Sequence, residues 1–256
     1  MHDHDELALE LHDALANRRP VDPLSTRHPD LSVADAYKIQ QASLARRVAD
    51  GAVRVGRKVG LTSEAMQTML GVRQPDYGVI LNTMVVGAEE GIDATALIAP
   101  RIEVEIAFLI ERPLKGPNVT REDVLAATSR VAPALEVIDS RIADWQITIV
   151  DTVADNASSG LVILGESRAL ADVDVVAERA TLRVGSREVS GSGAAVLGHP
   201  AEAIAWLARA LDPHGDGIAA GEFVIPGAVA AALPIAPRDH IRAEFSTLGT
   251  LETTVR

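Results

Sequence analysis

Glutamates 103 and 105 alternate with aliphatics in Arg101-Ile102-Glu103-Val104-Glu105-Ile106-Ala107-Phe108-Leu109-Ile110, and a third, Glu136, interrupts the apolar run Pro133-Ala134-Leu135-Glu136-Val137-Ile138. In a strand, side chains at i and i+2 share a face about 7 Å apart, so Glu103 and Glu105 present like charges side by side. Such a pair repels unless a cation sits between them. The chain has no cysteine, and no histidine lies near these segments. Three carboxylates then form an all-oxygen donor set suited to a hard divalent cation such as Mg²⁺ or Mn²⁺. The alternation at 103 and 105 also suits the wet face of an amphipathic strand. Glu136 fits that reading less well, because a charge among aliphatics is rarely buried without a partner.

A second candidate is Lys58, set between glycines in Gly56-Arg57-Lys58-Val59-Gly60-Leu61-Thr62. Flanking glycines let a ligand approach the backbone, and a lysine there can meet a carboxylate or act in acid-base chemistry. An exposed lysine beside an edge strand would give the same pattern. Asp76 lies in Gln74-Pro75-Asp76-Tyr77-Gly78, whose composition reads as a turn. The stretch Asp151 to Gly160 is dense in small polar groups and suits either a surface loop or a hydrogen-bonding wall.

The elements that must position these residues follow from periodicity and capping signals. Helices are expected over Glu6 to Ala16 and from a capping-box-like start at Ser32 with Asp35 to a stop at Gly51. Beyond residue 52 the pattern alternates strands with short helices. Strands are expected at Val53 to Val59, Met84 to Val86, Arg101 to Ile110, Pro133 to Ile138, Leu161 to Leu164, Glu222 to Ile225, His240 to Phe245 and Thr250 to Val255. A hairpin is expected around Gly185-Ser186. Helices are expected at Ser63 to Leu70, from a Thr120/Asp123 cap to about Val131, and at Pro200 to Leu211 with proline in its first turn. The fold class is mixed α/β (α+β), with a helical N-terminal region over residues 1–52 and a body over 53–256.

Composition narrows the partners. The net charge is -12 and the basic residues form no dense cluster, so nucleic acid is not an expected partner. An anionic substrate would need a local cation against that field. Zero cysteines exclude disulfides and thiol catalysis. The start Met1-His2-Asp3-His4-Asp5 is acidic where a signal peptide is basic, and no apolar run reaches the roughly 20 residues of a membrane span. The expectation is a soluble cytoplasmic protein without a membrane partner.

Taken together, the segments Gly56 to Thr62, Gln74 to Gly78, Pro100 to Phe108, Pro133 to Arg141 and Asp151 to Gly160 resemble the 2-keto-4-pentenoate hydratase and 4-oxalocrotonate decarboxylase family of the fumarylacetoacetate hydrolase superfamily. Leu197-Gly198-His199-Pro200 and Gly221 to Gly227 extend the resemblance over nearly the whole chain. It implies a fumarylacetoacetate hydrolase-like mixed β-sandwich roll over 53–256 and a homo-oligomer. It also implies Mg²⁺ or Mn²⁺ held by Glu103, Glu105 and Glu136, with Lys58 and Asp76 serving substrate binding and proton transfer, and Leu70 and Ser158 at the substrate pocket. The implied activity is hydration of 2-hydroxypenta-2,4-dienoate to 4-hydroxy-2-oxopentanoate in aromatic meta-cleavage catabolism.

Three alternatives stay open on the sequence. A 4-oxalocrotonate decarboxylase would use the same three glutamates. A 2-oxohept-4-ene-1,7-dioate hydratase typically carries extra residues between the segments matching Arg141 and Asp151, which this chain lacks. A non-catalytic metal-binding partner of a pathway aldolase or decarboxylase would not need Lys58 and Asp76 intact. Acylpyruvate hydrolysis ordinarily needs a histidine-carboxylate pair, and none of the seven histidines lies in the catalytic-looking segments.

Overall fold

Side-chain caps start the N-terminal helices. In the computed structural model, which describes residues 2–63, 67–68 and 71–256, Asp3 accepts hydrogen bonds from the amides of Asp5 and Glu6 at the head of α1 (His4–Asn17). A short helix, α2 (Leu24–Arg27), follows. Ser32 and Asp35 form the expected capping box of α3 (Val33–Ala49), and Gly51 turns the chain away at φ +97°. These helices bury Leu7, Leu11, Leu24 and Ile39, with Leu31 of the α2–α3 connection, against Ile142 and Val153 of the body. Gln40, buried on α3, donates from Nε2 to the carbonyls of Tyr77 and Val153, both at 3.0 Å.

Two sheets form the body. The larger comprises β1 (Arg54–Gly60), β2 (Asp76–Leu81), β3 (Arg101–Ile110), β4 (Thr128–Ile138), β5 (Ser159–Leu164) and β9 (Phe223–Ile225) in the order β2-β1-β9-β3-β4-β5, with β10 (Leu233–Pro234) on β3 and β6 (Arg168–Ala169) on β4. The smaller has β7 (Arg179–Val184), β8 (Arg187–Ser192), β11 (His240–Phe245) and β12 (Gly249–Thr254) in the order β12-β11-β7-β8. Helix α4 (Arg121–Ala127) leads into β4, α5 (Ile149–Ala154) precedes β5, and α6 (Pro200–Leu211) packs into the main core.

Alternation along β3 separates chemistry from core. Ile102, Val104, Ile106 and Phe108 enter the main apolar cluster with Leu182, Ile241 and Ala243 of the smaller sheet. Glu103, Glu105 and Ala107 take the other face, and β4 follows the same rule, with Leu135 and Val137 in the main cluster and Ala132, Ala134 and Glu136 opposite. On β1 the phase likewise alternates. Buried Arg57 reaches Asp216 Oδ2 at 2.7 Å and the Gly217 carbonyl at 2.9 Å, with Glu222 close by.

Local signals misplace three segments. Gln74 to Gly78 is not a free turn: Asp76 opens β2, every residue of which is buried, because pairing with β1 overrides the turn propensity of Pro75 and Gly78. The strand expected at Met84 to Val86 is a 3₁₀ turn at Asn82–Met84, with Val85 in a single bridge to Val162. The helix capped by Thr120 ends at Ala127 rather than near Val131, and β4 begins at once with Thr128, drawn out by its long ladder with β3. Of the two readings open for Asp151 to Gly160, the wall is the one the structure has: α5 runs into a tight turn and the stretch is buried. The helix expected over 63–70 lies largely outside the described residues. Among those described, no helix is long and apolar enough to cross a membrane.

Candidate active site

The antiparallel register places Glu103 of β3 directly opposite Glu136 of β4, with Glu105 two residues along the same face. One carboxylate oxygen from each lies within 4.8 Å of the others. Glu105 and Glu136 are each 1 % exposed, which leaves no water to screen the repulsion. Burial, then the charge of Glu136, pushes Glu103 up to about 7. The same two causes, joined by Glu103 itself, lift Glu105 well above the ordinary carboxylate range. One oxygen of Glu105 accepts the Gly227 amide at 2.8 Å, just past the end of β9. Neither oxygen of Glu136 has a hydrogen-bond partner.

The β1–β9 pairing ends at Lys58 and Ile225, and from this point Lys58 reaches Glu136. Its Nζ lies 3.0 Å from Glu136 Oε1, an ion-pair contact without hydrogen-bond geometry, and donates to the Ala157 carbonyl at 3.0 Å. Burial by itself would lower the lysine's pKa, but Glu136, Glu103, Asp76 and Glu105 outweigh it and the net shift is upward. Asp76, on neighbouring β2, accepts from Thr152 Oγ1 at 3.3 Å through Oδ2, while its buried Oδ1 has no partner. Its pKa is raised by burial, against the pull of Lys58.

Among the described residues, three buried carboxylates and the half-buried Glu103 thus face a single ammonium. The orphaned oxygens of Glu136, the convergence of three carboxylates and the raised pKa values of Glu103 and Glu105 all fit a divalent cation with oxygen ligands. This favours the metal reading over the wet-face alternative for Glu103 and Glu105.

The wall beside Lys58 is strained. Asn156, Ala157 and Ser158 have φ of 53°, 52° and 53°, three consecutive non-glycine residues in the left-handed region, a conformation that costs on the order of 1–2 kcal/mol per residue. Asn156 clasps Val79 of β2 through both its amide atoms, accepting at 2.8 Å and donating at 2.9 Å. Ser158 Oγ is buried beside this turn with no hydrogen-bond partner.

The structure therefore brings together Glu103, Glu105, Glu136, Lys58 and Asp76, with Ser158 next to the Ala157 carbonyl that Lys58 contacts. Leu70 lies outside the described residues. Sequence reasoning assigned no role to Thr152, Gly227, Asn156 or the Ala157 carbonyl. The polar density of Asp151 to Gly160 pointed at the region, but backbone donors and acceptors leave no mark on residue type.

A family model described as fumarylacetoacetate (FAA) hydrolase, C-terminal, matches residues 48–256. A 2-hydroxypent-2,4-dienoate hydratase of Pseudomonas putida is 47 % identical over 213 residues, covering 82 % of this chain and 96 % of that protein. A 2-hydroxyhexa-2,4-dienoate hydratase of Comamonas testosteroni is 45 % identical over 244 residues, covering 94 % and 92 %. Among solved structures, 4-oxalocrotonate decarboxylase from Pseudomonas putida G7, complexed with magnesium and adipate, superposes with a TM-score of 0.96 at 36 % identity, covering 99 % of this chain and 97 % of the other.

Proposed function

The chain belongs to the fumarylacetoacetate hydrolase family, and from that premise we propose that it is a divalent-metal-dependent hydro-lyase that hydrates 2-hydroxypenta-2,4-dienoate to 4-hydroxy-2-oxopentanoate in aromatic meta-cleavage catabolism. The observation that carries the proposal is the cluster of half-buried Glu103 with buried Glu105 and Glu136, one oxygen of each within 4.8 Å of the others, with Lys58 Nζ 3.0 Å from Glu136. Similarity of 45–47 % to two dienoate hydratases supports the reaction class.

Glu103, Glu105 and Glu136 would hold the cation, which when bound supplies Lewis-acid polarisation of the substrate's C2 oxygen. Lys58 offers a fixed ammonium to the substrate's 1-carboxylate or enol oxygen. Asp76 offers an oxygen free of hydrogen bonds, on a carboxylate whose affinity for a proton is raised by burial. The enol hydroxyl loses its proton to Asp76 in its carboxylate form and C5 gains a proton from the Lys58 ammonium, giving an α,β-unsaturated ketone and leaving a neutral amine and a carboxylic acid for the second half of the reaction. Water then adds at C4, its second proton passes to the pair, and C3 is protonated. Ser158 Oγ, buried without a hydrogen-bond partner, is assigned to substrate binding, and Leu70 shares that role on the family resemblance alone.

The test is loss of ultraviolet absorbance from freshly generated dienol with Mg²⁺, Mn²⁺ or chelator, with 4-oxalocrotonate assayed for CO₂ in parallel. Metal-dependent dienol loss yielding 4-hydroxy-2-oxopentanoate without CO₂ is expected. A second reading, decarboxylation, draws on the 0.96 TM-score to the decarboxylase, and CO₂ release with little hydration would replace the first by it.

A further inference from the structure

Lys58 owes its position partly to a main-chain carbonyl that belongs to a strained turn, and something must hold that turn. Arg141, 5 % exposed, fills that place. Its Nε donates to Asp155 Oδ1 and its backbone amide to Asp155 Oδ2 at 3.0 Å. Its Nη1 donates to the carbonyls of Asp139 at 2.6 Å and Ser159 at 2.9 Å, and Nη2 donates to the carbonyl of Asp155. That last carbonyl also accepts the Ser158 amide at 2.9 Å, and the Ser158 carbonyl accepts the Asp139 amide at 2.8 Å. One guanidinium thus ties the residue before the left-handed turn, the residue after it and the strand exit at Asp139.

We propose that Arg141 is a positioning residue for the reaction: together with Asp155 it locks the turn Asn156–Ala157–Ser158 so that the Ala157 carbonyl fixes Lys58 Nζ against Glu136. The proposal rests on the hydratase reading and goes beyond it, since Arg141 touches neither Lys58 nor the three glutamates. A planar fork with five donors can serve three carbonyls and a carboxylate at once; a lysine ammonium has three donors and no fixed plane. Arg141→Lys keeps the buried charge opposite Asp155 but loses the fork. The turn's left-handed residues would then relax toward ordinary backbone conformations, carrying the carbonyl away from Nζ.

The experiment compares wild type with Arg141→Lys and with the double variant Arg141→Met/Asp155→Leu, which removes both buried charges and avoids stranding one of them. Four quantities are read on each: melting temperature, Mn²⁺ affinity by calorimetry, kcat and KM with the dienol, and amide exchange of the peptides spanning 155–159 and 101–110. Expected for both variants is a folded protein with Mn²⁺ affinity and KM within about threefold of wild type and kcat lowered at least about 30-fold. Amide exchange should be faster over 155–159 and unchanged over 101–110. A folded variant with wild-type kcat overturns the proposal. So does a kcat loss that matches the loss of folded protein or of metal affinity. The wild type separates the two readings: an inactive wild type sinks the hydratase assignment, and faster exchange at 155–159 alone still reports whether Arg141 holds the turn.

Discussion

Gly60 of β1 pairs with Asp76 of β2, and a side chain of any size at position 60 would overlap the Asp76 carboxylate oxygen Oδ1, the atom that has no hydrogen-bond partner. The glycine is required by proximity to a reacting group, since its φ is ordinary. Gly60→Ala is expected to displace Asp76 and lower kcat about 10- to 100-fold, in line with a misplacement of about an ångström. Metal affinity should stay near wild type, because β3 and β4 are untouched. Steady-state kinetics with calorimetric Mn²⁺ titration checks both, and an unchanged kcat would remove Asp76 from the proton path.

Glu136→Gln removes one of three converging carboxylates and the ion-pair partner of Lys58. Metal affinity is expected to fall by more than about 100-fold, since even outer contacts to ligands are worth 10- to 100-fold. Metal-dependent turnover should vanish. Calorimetry and the absorbance assay read the two effects, and retained affinity would exclude Glu136 as a ligand.

Stability should respond to pH and metal together. In the metal-free protein Glu103 is raised from 4.5 to about 7, with Glu105 and Asp76 raised in the same direction. A carboxyl whose pKa rises on folding favours the folded state below its unfolded pKa, and that contribution is lost as pH climbs through the folded value. For Glu103 the loss falls between 4.5 and about 7. Metal binding needs the ionised carboxylates. The rise in melting temperature caused by Mg²⁺ is therefore expected to be small near pH 5 and to grow toward pH 8. A pH-independent rise would argue that these carboxylates are not the ligands.

Gln40→Leu tests the bond between the N-terminal helices and the body. It strands the buried carbonyl of Tyr77, at a cost of about 1–3 kcal/mol, and takes one of two donors from the Val153 carbonyl, which still receives the Asp155 amide. Urea unfolding should show a single transition destabilised by about 1–3 kcal/mol. Two separated transitions would instead mark residues 1–52 as an independent unit.

Glu103, Glu105 and Glu136 were legible because each interrupts an aliphatic strand, and Lys58 because glycines flank its segment; Asp76 lies in a segment that turn composition alone explains, and only the family resemblance singled it out. What supports them was not legible. Thr152 reaches Asp76 only because α5 packs beneath β2, and the Gly227 amide meets Glu105 only because β9 stops at Ile225. Asp76 itself was found while its setting was misread, since Pro75 and Gly78 signal a turn locally and only the ladder with β1 makes the segment a strand. Long-range pairing decided each case, and residue type alone carries little trace of it.

The neighbours Arg57 and Lys58 point to opposite faces of β1, one toward Asp216 and the other toward Glu136. The ladder that sets Arg57 opposite Val79 and Lys58 opposite Gly78 decides which of them points where, and the extra residue between Arg54 and Gly56 is taken up upstream of it. A slip of that ladder by one residue would exchange the two cations, sending a guanidinium into the space an ammonium occupies and the lysine toward Asp216. The phase of a single strand edge thus acts as a frame for the chemistry, and evolution or design can vary much of β1 but not its register.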